Sequence, residues 1–128
     1  MPLSYLLVPL ALLLQLTSSP ASAEIWLGME VDLVPRTTAA VRDLAPGAGA
    51  HVAKIIPGGP ADQAGLASGD IILRMNYKPV IGPRSVLRIA QSLQAGQSVP
   101  VQILRYGKIM QLYIVPRPRG EGPVESRF

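Results

Sequence analysis

The sequence predicts an α+β, mainly β domain: five or six strands in a partly closed antiparallel β-sandwich, with one long helix and one or two short ones. Three observations predict it. Strand-length apolar runs recur at short intervals, each bounded by Gly or Pro. One longer stretch, 84–94, carries an apolar stripe at helical spacing. The last two runs, 99–105 and 108–115, are separated by Tyr106-Gly107, the length of a tight hairpin turn. A chain of 128 residues is enough for one such domain.

Residues 1–23 stand apart from the domain. All twelve basic and eight acidic residues fall after position 23. The run 3–16 (LSYLLVPLALLLQL) is apolar apart from Ser4 and Gln15. It is shorter than the roughly 20 residues of helix that a bilayer core requires. Ala21-Ser22-Ala23 places small residues where a signal peptidase reads them. The reading is an export signal cleaved after Ala23, although Met1-Pro2-Leu3-Ser4 lacks the usual basic residue. An uncleaved anchor is the alternative, and it is the only route to membrane contact. A periplasmic or secreted location follows.

The segment 25–34 (IWLGMEVDLV) alternates after Gly28. Met29, Val31 and Leu33 lie on one side and Glu30 and Asp32 on the other, a strand with one wet face. Pro35 ends it, and Thr37 is placed to cap a short helix over 38–44. Residues 46–49 (PGAG) break the chain, and 50–56 (AHVAKII) form the next strand. Pro57-Gly58-Gly59-Pro60 turns into one helical turn over 61–66. A second turn, 68–70, leads to a buried strand, 71–75, and 76–79 turns again before the stub Val80-Ile81. Gly82-Pro83 opens the long helix, Pro being tolerated at the first helical position, and Gly96 supplies the stop. The hairpin 99–115 follows. From Pro116 the chain (PRPRGEGPVESRF) is Pro, Gly and charge, which predicts a flexible tail over 116–128.

Composition excludes several functions. With no cysteine there is no disulfide or thiolate-metal scaffold, and no lipid-anchoring cysteine. No cofactor or metal motif is present. The net charge of +4 is scattered singly and aromatic residues are few, which excludes a nucleic-acid surface.

Two stretches together resemble a PDZ domain. The segment 56–80 (IPGGPADQAGLASGDIILRMNYKPV) carries a Pro/Gly turn, a Pro-Ala pair, Ala-Gly-Leu, Gly-Asp and an Asn-x-x-Pro-Val turn in order. Tyr77 departs from that pattern, which usually has Gly there. Trp26-Leu27-Gly28-Met29 resembles the family's carboxylate-binding loop, and Arg105-Tyr106-Gly107-Lys108 its bacterial Arg-x-Gly hairpin. The resemblance covers 24–115. Almost nothing precedes the loop after cleavage, so 108–115 is expected to supply the missing first strand. That is the permuted order of bacterial PDZ domains such as those of HtrA-type serine proteases.

The resemblance implies a binding mode. An extended peptide adds as a strand to a sheet edge, and its terminal carboxylate sits on the amides of Leu27, Gly28 and Met29. Trp26, Leu27, Gly28, Met29 and Val31 are the expected peptide-binding residues on the strand side. On the helix side they are Ser85, Ile89 and Ser92 or Leu93, with Val86 and Ala90 left to the core. Expected ligands are C-terminal or unfolded segments of other proteins, with an apolar last residue. The chain's own tail, ending in Phe128, is a further candidate.

An enzyme is not expected. His51, the single histidine, lies inside a strand, and Ser68 beside Asp70 lies in a turn that the resemblance already explains. The leading function is therefore an exported adaptor or regulator. The alternatives are a structural subunit of a type II secretion-like assembly, or a protease-derived non-catalytic decoy.

Overall fold

The structure, a computed structural model, describes residues 25–119. Residues 1–23, expected from the sequence to be an export signal, and the tail end including Phe128 lie outside the described residues. Eight strands and three helices follow in the order β1 (Ile25–Trp26), β2 (Met29–Asp32), α1 (Arg36–Val41), β3 (Ala50–Ile55), α2 (Pro60–Gln63), β4 (Ile71–Met75), β5 (Lys78–Pro79), α3 (Pro83–Gln91), β6 (Val99–Arg105), β7 (Lys108–Ile114) and β8 (Arg117–Pro118).

The main sheet is antiparallel in the order β2-β3-β4-β6-β7, with β5 also on β4, so β2 and β7 are its edges. A second sheet pairs only β1 and β8. The mainly β, antiparallel architecture with few helices is the one the sequence predicts, and the main sheet is open, not closed. Ala50, Val52, Ile72, Met75, Val99, Val101, Ile103 and Ile114 form the fully enclosed core. Each buried aliphatic side chain contributes about 1.5–3 kcal/mol of hydrophobic stabilisation. The longest pairing, β6 with β7, runs in register from Val99↔Ile114 to Arg105↔Lys108. Its turn residues Tyr106 and Gly107 have φ of +50° and +77°, the positive pair that suits the right-handed twist of a two-residue hairpin.

Two details depart from the sequence reading. Helix α1 begins at Arg36, with Pro35 as its N-cap residue and no side chain capping it, so Thr37 lies inside the helix. More consequentially, the chain stays on the domain after Val115. Pro116 is buried, its carbonyl accepts the Gly96 N–H at 2.9 Å, and Arg117 and Pro118 pair with Trp26 and Ile25. It is therefore β8, rather than 108–115, that lies beside the strand leading into the loop; β7 pairs only with β6 in the sheet. Among the described residues no helix is long and apolar enough to cross a membrane.

Candidate functional site

The site lies where strand β2, helix α3 and the loop between β1 and β2 converge. Strand β2 alternates half-buried Met29 and Val31 with exposed Glu30 and Asp32. On its wet face Asp32 lies 2.9 Å from His51, and Glu30 lies 3.7 Å from Lys54 across β3. One edge of β2 is bonded to β3. The other borders a cleft whose far wall is α3. Backbone bonds near Gly49 pin the head of that helix: Gly49 N–H donates to Val80 O at 2.8 Å, and Gly82 N–H to Gly49 O at 3.0 Å.

The cleft is lined on the loop and strand side by Ile25, Trp26, Leu27, Gly28, Met29 and Val31. Pro83, Val86, Leu87 and Ala90 line the helix side, and Arg119 is also among the lining residues. Its walls are mainly aliphatic, and the polar groups available are loop backbone and one guanidinium.

The loop backbone is oriented by bonds on its far side. Leu27 O accepts from Ala61 N–H and Gly28 O from Ile56 N–H, each at 2.9 Å. In a trans peptide the C=O and the following N–H point in opposite directions. The amides of Gly28 and Met29 therefore point away from Ile56 and Ala61, on the side of the cleft. Convergent amides of this kind form an anion-binding concavity. Gly28 has φ of +73°, and a Cβ there would sit 3.1 Å from Pro60 Cδ and 3.2 Å from Gly59 Cα. Both left-handed backbone and close approach demand glycine. Gly59 is equally confined, with Gly28 Cα and the Trp26 ring each 3.2 Å from the position of its absent Cβ.

The strand-side expectations all line the cleft: Trp26, Leu27, Gly28, Met29 and Val31. The helix side is different. Ser85, Ile89 and Ser92 line a separate hollow with Lys78, Pro79 and Arg88, and Leu93 is buried in the core. At about 100° per residue, Pro83, Leu87 and Ala90 share one face. Ser85, Ile89 and Ser92 share another, roughly 150° away. At the helix start the Ser85 hydroxyl turns back to donate to Ile81 O and accept from Ile81 N–H, both at 3.0 Å, so it is engaged away from the cleft. Ser92 Oγ is likewise engaged with Ile89 O at 2.7 Å. Val86 and Ala90, which the resemblance leaves to the core, both line the cleft: Val86 is buried there and Ala90 half-buried. The exposure of Leu87 was legible as an apolar residue off the main stripe. No periodicity announces Arg119.

The residues weighed for nucleophilic chemistry are spread among unrelated partners. His51 Nδ1 pairs with Asp32, Ser68 Oγ donates to Ala53 O at 3.0 Å, and Asp70 is held by Arg105. Among the described residues no group of His, Cys, Asp and Glu is arranged to hold a metal.

Comparison with known proteins shows similarity in sequence and in fold. A family model described as PDZ domain matches residues 26–115. The probable periplasmic serine endoprotease DegP-like of Pseudomonas putida (strain W619) is 36% identical over 87 residues, which is 68% of this chain and 18% of that protein. The magnetosome formation protease MamE of Magnetospirillum gryphiswaldense is 36% identical over 78 residues, 61% of this chain and 10% of that one. Among solved structures, the HtrA-type protease AlgW with tripeptide superposes with a TM-score of 0.71 at 27% identity, covering 92% of this chain and 39% of AlgW. The HtrA3 PDZ domain bound to a phage-derived ligand superposes at 0.61 and 19% identity, covering 78% of this chain and 94% of that domain, and shows the shared fold. The chain thus spans under a quarter of the protease sequences it matches, and the family match lies in the PDZ region.

Proposed function

The chain belongs to the PDZ domain family, and from that premise we propose that it is an exported, non-catalytic peptide-binding module. An extended peptide adds antiparallel to the open edge of β2, with main-chain hydrogen bonds supplying affinity. Its terminal carboxylate rests on the amides of Gly28 and Met29. Its last side chain, apolar, enters the cleft among Leu27, Met29, Val86, Leu87 and Ala90. The observation that supports this reading is the bonding of Leu27 O to Ala61 N–H and Gly28 O to Ile56 N–H, which turns the Gly28 and Met29 amides away from those partners, beside an apolar cleft and an edge strand.

Export to the periplasm is supported by residues 1–23 and by the periplasmic relatives. The role is adaptor or regulator: the module captures C-terminal or unfolded segments of envelope proteins and carries no chemistry of its own.

Trp26, the single tryptophan, ends β1 next to the loop and reports on it directly. Titrating the full chain with acetylated heptapeptides ending in Val, Leu, Ile or Phe should change its fluorescence in a saturable way. Amidated copies should bind at least tenfold more weakly, because the charge-assisted bonds to the loop are lost. Equal binding of both forms would contradict the carboxylate loop. Fractionation with N-terminal sequencing tests export, and a periplasmic product beginning at Glu24 is expected.

A further inference from the structure

We propose that the outer edge of β7 pairs with the β7 edge of a second copy of this chain, joining two domains about a two-fold axis at Gln111.

The direction of the edge groups follows from the hairpin. Tyr106-Gly107 is a two-residue turn, so Arg105 and Lys108, which flank it, form a hydrogen-bonded pair, and the pair types alternate from there. Leu104↔Ile109, Gln102↔Gln111 and Pro100↔Tyr113 are the non-hydrogen-bonded pairs. Pro100 agrees with that phase. It has no N–H to give β7, and its carbonyl accepts the Asn76 N–H at 2.8 Å on the opposite side. The N–H and C=O groups of Ile109, Gln111 and Tyr113 therefore point out of the sheet, where β7 has no second strand neighbour among the described residues.

The two edges of the main sheet are unlike. Strand β2 is four residues long, carries Glu30 and Asp32, and has an irregular register between Glu30 and Val31. Short length, charge and bulges are what keep an unpaired edge from joining other chains. Strand β7 is seven residues long (KIMQLYI) in unbroken register, and its one charge is Lys108 at its start. Ile109 and Tyr113 are 64% and 55% exposed on its outer face. Gln111 Nε2 donates to Tyr113 Oη at 2.7 Å on that same face.

A second copy fits this edge because the outward positions are symmetric about Gln111. Antiparallel pairing centred there sets Gln111 against Gln111 and Ile109 against Tyr113, and gives each outward N–H and C=O a partner. Ile109 with Tyr113 is a stabilising β-branched–aromatic cross-strand pair. Met110 then faces Leu112, and Lys108 faces Ile114. The two Lys108 residues fall at opposite ends, about 20 Å apart along the strand, beyond the screening length of roughly 10 Å. The contact is isologous and closes on itself, so assembly stops at a dimer. It leaves both β2 edges open, at the far ends of a sheet with five strands from each copy.

Sedimentation equilibrium of the full chain tests this without any peptide, and so independently of the groove reading. One strand pairing is a small interface, under about 1,200 Å², so a reversible monomer–dimer equilibrium is expected between about 10 μM and about 1 mM protein. Gln111→Lys sets like charges directly opposite each other and should weaken the dimer by about tenfold or more. Gln111→Glu should do the same. An equimolar mixture of the two variants should restore a dimer at least as tight as that of the unaltered chain, since opposite charges then meet at the axis. Gln91→Lys, which adds the same charge at the exposed end of α3, should change nothing. A chain that stays monomeric throughout this range, or that grows past the dimer, overturns the proposal. Association that Gln111→Lys leaves intact overturns it too, by placing the contact elsewhere. A mixture of the two charge variants that stays monomeric does so by removing Gln111 from the axis.

Discussion

Arg105 grips Asp70 across 35 positions of chain, with Nε 2.8 Å from Oδ1 and Nη2 2.7 Å from Oδ2. Asp70 is only 2% exposed, and its Oδ2 also accepts the Ala67 N–H at 2.9 Å. Arg105 Nη2 donates in addition to Gly65 O at 2.8 Å. The bidentate pair joins the turn before β4 to the β6–β7 hairpin. Its hydrogen bond to Asp70 raises the Arg105 pKa further above its ordinary value. A raised basic pKa contributes stability that is present at every pH below that ordinary value, so titration of Arg105 leaves stability flat through the physiological range. Removing one partner is another matter, because Arg105→Met strands a buried carboxylate. The expected cost is about 3 kcal/mol in urea unfolding. The double variant Asp70→Leu/Arg105→Met should recover part of that loss, whereas strictly additive costs would mean that the two residues do not act as a pair.

Gly28 is the second point of high sensitivity. Gly28→Ala places a methyl group against Pro60 and Gly59 in left-handed backbone, a conformation that costs a residue with a Cβ about 1–2 kcal/mol. The loop must shift, and with it the amides of Gly28 and Met29. The expected outcome is a melting temperature lowered by several degrees and binding of free-acid peptides reduced at least tenfold. Unaltered binding in the destabilised variant would show that the loop amides do not contact ligand.

Legibility in the sequence followed the range of the interaction. The β6–β7 hairpin and its turn were readable because Tyr106-Gly107 and the flanking alternation are local signals. The strand side of the cleft was readable because Gly28 and its apolar neighbours are contiguous. The helix side was not, because apolar spacing reports only that a stripe exists. Here Val86 serves both core and cleft, and the Ser85 hydroxyl is bonded back to Ile81 instead of facing the cleft. The segment from Pro116 to Arg119 reads as tail for a physical reason too: it has tail composition. What holds it is non-local, namely Gly96, Trp26 and Gly58.

Tyr77 is a place where the sequence departs from its family and the fold bears the strain. Asn76 and Tyr77 turn β4 into β5 with φ of +52° and +67°. The Tyr77 side chain is 75% exposed, so little packing compensates for its backbone. The Arg74 guanidinium bonds Tyr77 O at 2.6 Å, a contact that any residue at 77 preserves. Tyr77→Gly relieves about 1–2 kcal/mol of left-handed strain, offset by roughly 0.5–1 kcal/mol of extra unfolded-state entropy. The net expectation is a small stabilisation, below about 1.5 kcal/mol, read as a higher urea midpoint with an unchanged slope. A lower midpoint would show that the tyrosine ring stabilises the turn.

The two faces of α3 can be separated by substitutions that tax the fold differently. Ala90 is half-buried at the cleft wall, so Ala90→Phe fills the space opposite Met29 and Val31 without entering the enclosed core. Peptide affinity should fall more than tenfold, while stability should stay within about 0.5 kcal/mol, as for a surface change. Ser85→Ala should do the reverse. It deletes both bonds to Ile81 and leaves the part-buried Ile81 N–H without that partner, at a cost of about 1 kcal/mol, with peptide affinity unchanged when measured below the melting transition. Ser92→Ala should also spare binding. If Ser85→Ala and Ser92→Ala weaken binding and Ala90→Phe does not, the ligand lies on the face with Lys78 and Arg88, and the cleft between β2 and α3 is not the site.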